Sequence, residues 1–314
     1  MFIIKHRNIF IGTSILLGAV SLGMIFSWGL RFGIDFTGGS LMEVEYAPAP
    51  ALTETSRPDI SEMKEIIARA AGEGVSEGAI VQPTGERGYI IRTETLSSDH
   101  HERILSALGE EGKWTVSEKR FDSVGPAIGE ELRRKAWVAI LAVMLAIIAF
   151  VAFVFRKVSE PVPSWQYGVI TLVTLFHDVL IPTGAMALLG KIIGAQIDIL
   201  FITALLTVLG FSVHDTIVVF DRVRENLKLK RFGSFAETVG RSLEQTFMRS
   251  INTSLTVILV LLALLFFGPP SIFIFSLVLL IGMIAGTYSS VFLASPLLLV
   301  AEKMKEKRQE KEKK

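Results

Sequence analysis

The chain has 314 residues, of which 50% are hydrophobic and 20% are charged, and its formal net charge is +1. Soluble domains usually carry about a quarter charged residues; here the charges cluster between long apolar runs, which is typical of a membrane protein. The chain contains no cysteine, which excludes disulfides, zinc–thiolate sites and thiol catalysis. The near-neutral charge, without a basic stripe that includes aromatics, gives no support for nucleic-acid binding.

The first apolar run covers residues 9–30 and follows Lys5, His6 and Arg7. A basic start of this kind also begins a signal peptide, but this run is longer than the usual signal-peptide core and no Ala-x-Ala cleavage site follows it. We therefore predict that residues 1–30 form a retained signal-anchor helix, the first of six transmembrane helices.

Residues 31–132 are the one long polar segment between apolar runs, and we predict that they form an extracytoplasmic domain. Apolar residues alternate in the strand-like segments and recur at helical spacing in the others. The order of the predicted elements is β-α-β-β-α-β, which indicates an α+β ferredoxin-like domain. The predicted elements are a strand at 40–46, a helix at 59–70, a hairpin of 79–81 and 88–92, a helix at 98–108 and a strand at 114–120.

A glycine-rich segment follows the first helix directly, with Gly33, Asp35, Gly38 and Gly39. Neither the G-x-G-x-x-G pattern nor a Walker lysine is present, so a phosphate loop has no support. We predict a flexible junction between the membrane and the domain.

Five further apolar runs are long enough to span a membrane, which takes about 20 residues. We predict that residues 133–301 form a five-helix transmembrane bundle with a cytoplasmic loop at 221–248, and that 302–314 form a charged cytoplasmic tail. Lys and Arg concentrate before the first span, in the loop and in the tail, so both termini are predicted to be cytoplasmic. The five runs are 136–155, 165–190, 197–220, 251–267 and 272–300.

Ionisable residues within spans cost about 2.5–3.5 kcal/mol each on insertion scales, so they are candidates for function. Asp215 lies in an otherwise apolar stretch, and Arg249 begins the next, antiparallel helix. A carboxyl group that an arginine approaches and leaves would take up and release a proton. The residues alone support equally a static ion pair that joins two helices.

Two histidines accompany aspartates within the spans. His177 and Asp178 lie near the middle of the third span, where they would join a relay or bond to a neighbouring helix. His214 adjoins Asp215, but successive helical side chains point about 100° apart, which favours a polar contact between helices. No motif supports hydrolysis, nucleotide use or metal binding, so we predict no enzyme activity, no metal site and no cofactor.

Several motifs resemble the SecF branch of the SecD/SecF family. The segment after the first helix is similar to the family signature at that place, and the His177–Asp178 pair also fits. The match is most specific at the fourth span and the segment after it. The similar runs are 33–39, 214–226 and 249–254, and the second run contains the cytoplasmic motif residues Asp221, Arg222, Arg224, Glu225 and Asn226.

This resemblance implies a member of the resistance-nodulation-division superfamily in the inner membrane, in contact with lipid. It implies pairing with SecD, association with the SecYEG channel, and use of the proton gradient to complete export of unfolded polypeptides. Asp215 would be the relay aspartate and Arg249 its switching arginine, while His214 stands where many members have asparagine. A scaffold subunit without energy transduction is the alternative, and sodium stays open as the coupling ion.

Overall fold

A computed structural model describes residues 2–48, 57–72, 75, 78–109, 114–156 and 160–312. The chain divides into two compact units. One unit combines Met1–Arg31 with Val138–Lys314, and the other is Phe32–Trp137. The last two residues of the predicted tail, 313–314, lie outside the described residues.

The helices of the described residues include both short connecting segments and long apolar ones. In chain order they are α1 Phe2–Lys5, α2 Arg7–Trp28, α3 Ile34–Thr37, α4 Ile60–Ala71, α5 Ser98–Leu108, α6 Pro126–Val154, α7 Ser164–Ile193, α8 Ile199–Lys228, α9 Phe235–Phe267, α10 Phe273–Ser289 and α11 Ser295–Glu312. A π-helical segment, Ser290–Ala294, joins α10 to α11, and a 3-10 turn, Pro270–Ile272, precedes α10.

The unit Phe32–Trp137 contains a four-stranded antiparallel sheet with the strand order β2-β3-β1-β4. Together with α4 and α5, the strands give the predicted β-α-β-β-α-β order, so the ferredoxin-like prediction is confirmed. Alternate residues of β1 enter the core, where Met42, Val44 and Tyr46 pack with the helix residues Met63 and Ile104. The strands are β1 Gly39–Pro48, β2 Ile80–Thr84, β3 Gly88–Thr93 and β4 Trp114–Val124.

The glycine segment is tightly packed, which differs from the flexible junction that we predicted. Gly33 precedes α3, the short helix that contains Asp35, and Gly38 and Gly39 have φ of 75° and 130°. A Cβ on Gly38 would lie 2.7 Å from the Pro126 Cα atom, and one on Gly39 would lie 2.7 Å from the Thr93 carbonyl oxygen. Glycine is therefore required here by both backbone conformation and space.

The prediction of six spanning helices is confirmed, because six helices among the described residues are long and apolar enough to cross a membrane. These helices extend beyond the apolar runs, and α6 begins at Pro126 rather than near residue 136. The sixth continues from α10 through the π segment into α11, where Pro296 has no N–H to donate.

The predicted cytoplasmic loop at 221–248 is mostly helical, so that prediction of a loop is corrected. Helix α8 continues to Lys228 and α9 begins at Phe235. The reason is that buried apolar residues continue at helical spacing past the apolar run, including Val223, Val239 and Leu243 in one core cluster.

Close packing of α2 on α7 depends on a glycine, and this gives a matched test. A Cβ on Gly184 would lie 2.5 Å from the Ser21 Cβ atom and 2.6 Å from its Cα atom. Gly184→Ala is expected to lower the free energy of unfolding by about 1–3 kcal/mol, because one of the two helices must shift. The control is Gly210→Ala in α8, where a Cβ meets nothing within 4 Å. Thermal unfolding in detergent that ranks the two variants equally would contradict this packing.

Candidate functional site

Asp215 lies on the buried side of α8, with 8% of its surface exposed. The Ser254 hydroxyl of α9 donates to Asp215 Oδ2 at 3.3 Å, and the Thr287 hydroxyl of α10 donates to Ser254 Oγ at 2.7 Å. A row of hydroxyl groups therefore joins three spanning helices at this carboxyl group.

Asp178 of α7 is 0% exposed, and it has three hydrogen-bond partners among the described residues. Its Oδ2 atom accepts from the hydroxyls of Ser212 in α8 and of Ser289 in α10, the second at 2.7 Å. Its Oδ1 atom lies 3.0 Å from His177 Nδ1. Asp178 is thus a second buried carboxyl group shared by three helices.

A small cavity lies beside Asp215 and is lined by residues of α8, α9 and α10. The volume within which the centre of a water molecule fits is about 10 Å³. This is about enough space for one water molecule. Ser212, Asp215, Ser254, Gly286 and Thr287 are among its lining residues. The cavity is therefore lined both by the Asp215 carboxyl group and by the hydroxyl of Ser212, which bonds to Asp178.

The predicted pair of Asp215 and Arg249 is not in contact. Arg249 is exposed and, within the described part of the chain, has no ion pair. It precedes Ser254 by five residues, which places it about 7.5 Å away along the helix axis. His214 is exposed while Asp215 beside it is buried, so the two side chains face different surroundings.

The residues of the predicted cytoplasmic motif join the ends of neighbouring helices. Asn226 is 1% exposed, and its Nδ2 atom donates to Ser242 Oγ of α9 at 2.8 Å and to Gln245 Oε1 at 3.0 Å. Arg222 Nε also donates to Gln245 Oε1, at 2.5 Å. Arg224 bonds to the Val154 carbonyl of α6 at 3.3 Å. This motif therefore stabilises one end of the bundle.

Two ion pairs complete the motif along α8 itself. Arg224 pairs with Asp221 at 2.5 Å, and Arg222 pairs with Glu225 at 2.6 Å. All four side chains are at least partly exposed, and exposed pairs of this spacing stabilise a helix by only a few tenths of a kcal/mol.

Sequence reasoning missed the hydroxyl residues that hold the two carboxyl groups. Ser212, Ser254, Thr287 and Ser289 lie in apolar runs, where single hydroxyls are common and usually bond to their own helix backbone. The three-residue spacing of Ser212 and Asp215 was the available signal, since it places both on one helix face.

Buried carboxyl groups among helices that cross a membrane define a polytopic membrane protein with an ionisable site inside its bundle. Metal ligation has no support in the described ranges, where no group of three or more His, Asp or Glu side chains is placed to hold an ion.

The chain matches known protein-export proteins over nearly all of its length. Residues 104–304 match the family described as protein export membrane protein SecD/SecF, C-terminal, and residues 24–50 match the SecD/SecF GG motif. The chain is 43% identical to protein translocase subunit SecF of Thermobaculum terrenum, over 95% of this chain and 92% of that protein. The chain belongs to the SecF family of protein-export membrane proteins.

Two comparisons involve a longer protein from Thermus thermophilus. The chain is 37% identical to protein translocase subunit SecDF of that organism, over 99% of this chain and 40% of the relative. A crystal structure of Thermus SecDF, described as a translocon-associated membrane protein, superposes with a TM-score of 0.79 at 32% identity. That superposition covers 95% of this chain and 38% of the Thermus chain.

Proposed function

We propose that this protein uses the proton gradient across the inner membrane to promote late export of unfolded polypeptides, together with SecD at the SecYEG channel. The observation that carries the proposal is Asp215, a buried carboxyl group that accepts from the Ser254 hydroxyl, which in turn accepts from Thr287, so that the bonds link three spanning helices. Membership of the SecF family supports a role in protein export.

A carboxyl group bonded to hydroxyls is suited to exchange a proton. Its ionised form accepts hydrogen bonds from hydroxyl groups, and its protonated form donates to a hydroxyl oxygen. Neither form leaves Ser254 without a partner, so both forms fit the same helix arrangement. Arg249, which is unpaired in the described part of the chain, is then free to approach Asp215 and favour its ionised form.

The direction in which protons would move follows from the proposed orientation of the chain in the membrane. Lys and Arg near α1 and in α11 favour a cytoplasmic location for both termini. The ferredoxin-like unit is then extracytoplasmic, where it would act on the emerging polypeptide. Proton entry from that side toward Arg249 would follow the natural gradient.

Association with SecD is supported by the single-chain SecDF relative and by the surface of the bundle. Helices α2 and α6 are mostly exposed along their apolar length, and α9 nearly as much. Apolar helix faces of this kind contact either lipid or the helices of a partner. We therefore propose that SecD and membrane lipid cover them.

A scaffold without energy transduction is the second candidate, and one observation favours it. The Asp178 network joins α7, α8 and α10, as a purely structural contact would. In this case the chain would stabilise SecD and the channel without passing protons.

The two candidates differ in their response to a gradient. Membrane vesicles with SecYEG and SecD, with or without this chain, would be loaded with an unfolded secretory protein as substrate. We expect the chain to raise export when a proton gradient is imposed and to change it little when an ionophore removes the gradient. A scaffold would raise export equally in both conditions.

A further inference from the structure

We propose that Asp178 is a second proton-exchanging carboxyl group, and that a proton passes between Asp178 and Asp215 through the Ser212 hydroxyl and one water molecule in the adjacent cavity. This inference rests on the proposed function, because it extends the path on which Asp215 exchanges its proton.

The surroundings of Asp178 provide bonds but little compensating charge. It is 0% exposed, and its partners are two serine hydroxyls and the His177 ring. In the described ranges no lysine or arginine pairs with it. Burial of an ionised carboxylate without a cation is costly, and a protonated state removes that cost. The site therefore accommodates an added proton.

Ser212 connects the two carboxyl groups. Its hydroxyl bonds to Asp178 Oδ2, and it precedes Asp215 by three residues on the same face of α8, about 4.5 Å along the helix axis. Both Ser212 and Asp215 line the cavity with room for about one water molecule.

The transfer is balanced in atoms and charge. Protonated Asp178 gives its proton to Ser212 Oγ as the Ser212 hydroxyl proton moves to the water, and the water gives one of its protons to the Asp215 carboxylate. Asp178 is left ionised and Asp215 protonated, and no electrons are transferred. On the proposed orientation, α8 enters from the outer face at Ile199, so Asp178 receives the proton first.

His177 adds an independent observation on the Asp178 side. Its side chain is buried, and its Nε2 atom has no hydrogen-bond partner among the described residues. With Nδ1 beside Asp178, the ring has one unused nitrogen that can receive or give a proton.

The other ionisable groups around Asp178 are few in the described part of the chain. Tyr288 of α10 stacks on His177 at 6.4 Å between ring centroids, and its hydroxyl donates to the Phe10 carbonyl of α2 at 3.1 Å. From α8 the facing group is Asp215, while α2 beyond Arg7 and the π segment contain no ionisable side chain. The charges of α11 lie toward the other end of α7, where Lys305 donates to the Pro161 carbonyl.

The test compares two serines that make the same bond. Ser212→Ala and Ser289→Ala each remove one hydroxyl from Asp178 Oδ2, but Ser289 does not line the cavity. Ser276→Ala, which removes a fully buried hydroxyl elsewhere in α10, is the control. Each variant is assembled with SecD and SecYEG in vesicles, and the gradient-dependent increment in export is measured beside Asp178→Asn and Asp215→Asn.

We expect Asp178→Asn and Ser212→Ala to lower that increment by about 100-fold, since loss of a proton-transferring group typically lowers a rate by about 10²–10⁴-fold. Ser289→Ala is expected to lower it less than Ser212→Ala, and Ser276→Ala to leave it unchanged. Equal effects of Ser212→Ala and Ser289→Ala would overturn the proposal, even if Asp178→Asn fails to assemble. If Asp215→Asn loses the increment while Ser212→Ala keeps it, this inference fails and the proposed function stands.

Infrared difference spectra of the intact complex give a readout that a structural role would not change. On acidification we expect two carboxylic-acid bands from the bundle, one absent in Asp178→Asn and the other absent in Asp215→Asn. A spectrum in which Asp178→Asn removes no band would overturn the proposal.

Discussion

Asp215→Asn is expected to abolish the increase in export that a proton gradient produces, while the complex with SecD stays assembled. Asparagine keeps the size of the side chain and its ability to bond to Ser254, but it cannot exchange a proton. Loss of a proton-transferring group typically lowers a rate by about 10²–10⁴-fold, so we expect a loss of at least about 100-fold in the gradient-dependent increment. The measurement is export by energised vesicles, with complex assembly checked by copurification.

Asp198→Asn provides a matched control on the same helix. Asp198 precedes α8, where its Oδ1 atom accepts from the Phe201 N–H at 2.8 Å. Asparagine caps a helix as well as aspartate does, so this variant is expected to export normally. If Asp215→Asn retains the increment, Asp215 is not on the proton path. If only Asp215→Asn fails to assemble, the carboxyl group is a structural element, as the scaffold alternative requires.

Arg249→Gln is expected to lower gradient-dependent export by about tenfold or more, with the free energy of unfolding changed by less than about 0.5 kcal/mol. The expected stability follows from the exposed position of Arg249 and from its separation from Asp215. A static buried ion pair would behave differently, because removal of one partner costs about 3–5 kcal/mol. Thermal unfolding of the purified chain and export by vesicles together separate a switching arginine from a static one.

Arg241→Gln is the control for Arg249→Gln. Arg241 lies earlier on α9 and pairs with Glu244 at 3.1 Å, with both side chains about half exposed. An exposed pair of this kind contributes little to stability, so neither export nor unfolding is expected to change much. Equal losses of export in the two variants would indicate a general effect of charge rather than a role for Arg249.

The parts of the fold that produce a periodic pattern of apolar residues could be predicted from the sequence. Apolar runs of spanning length indicated the spanning helices, and the alternation around Met42, Val44 and Tyr46 indicated the sheet. Helix ends were less accessible, because amphipathic segments continue α8 and α9 beyond the apolar runs. The packing of Gly38 against Pro126 could not be predicted either, since the sequence Gly-Gly occurs both in flexible linkers and in tight turns.

The ionisable residues of the candidate site were predicted from the sequence, but the hydroxyl residues around them were not. An aspartate in an apolar run is conspicuous, whereas a serine there is ordinary. Asp178 and Ser289 are 111 residues apart in sequence, and Asp178 and Ser212 are 34 apart. Contacts at such separations depend on how the helices pack, which local patterns do not reveal.

The measurement that tests the central claim most directly is export in vesicles with SecYEG and SecD under one imposed gradient at a time. A proton gradient, a sodium gradient at equal pH and no gradient would be compared for the unaltered chain and for Asp215→Asn. We expect export to rise with the proton gradient alone, and this rise to be absent in Asp215→Asn. Export that rises with the sodium gradient alone, or that rises equally in Asp215→Asn, would contradict a proton path through this carboxyl group.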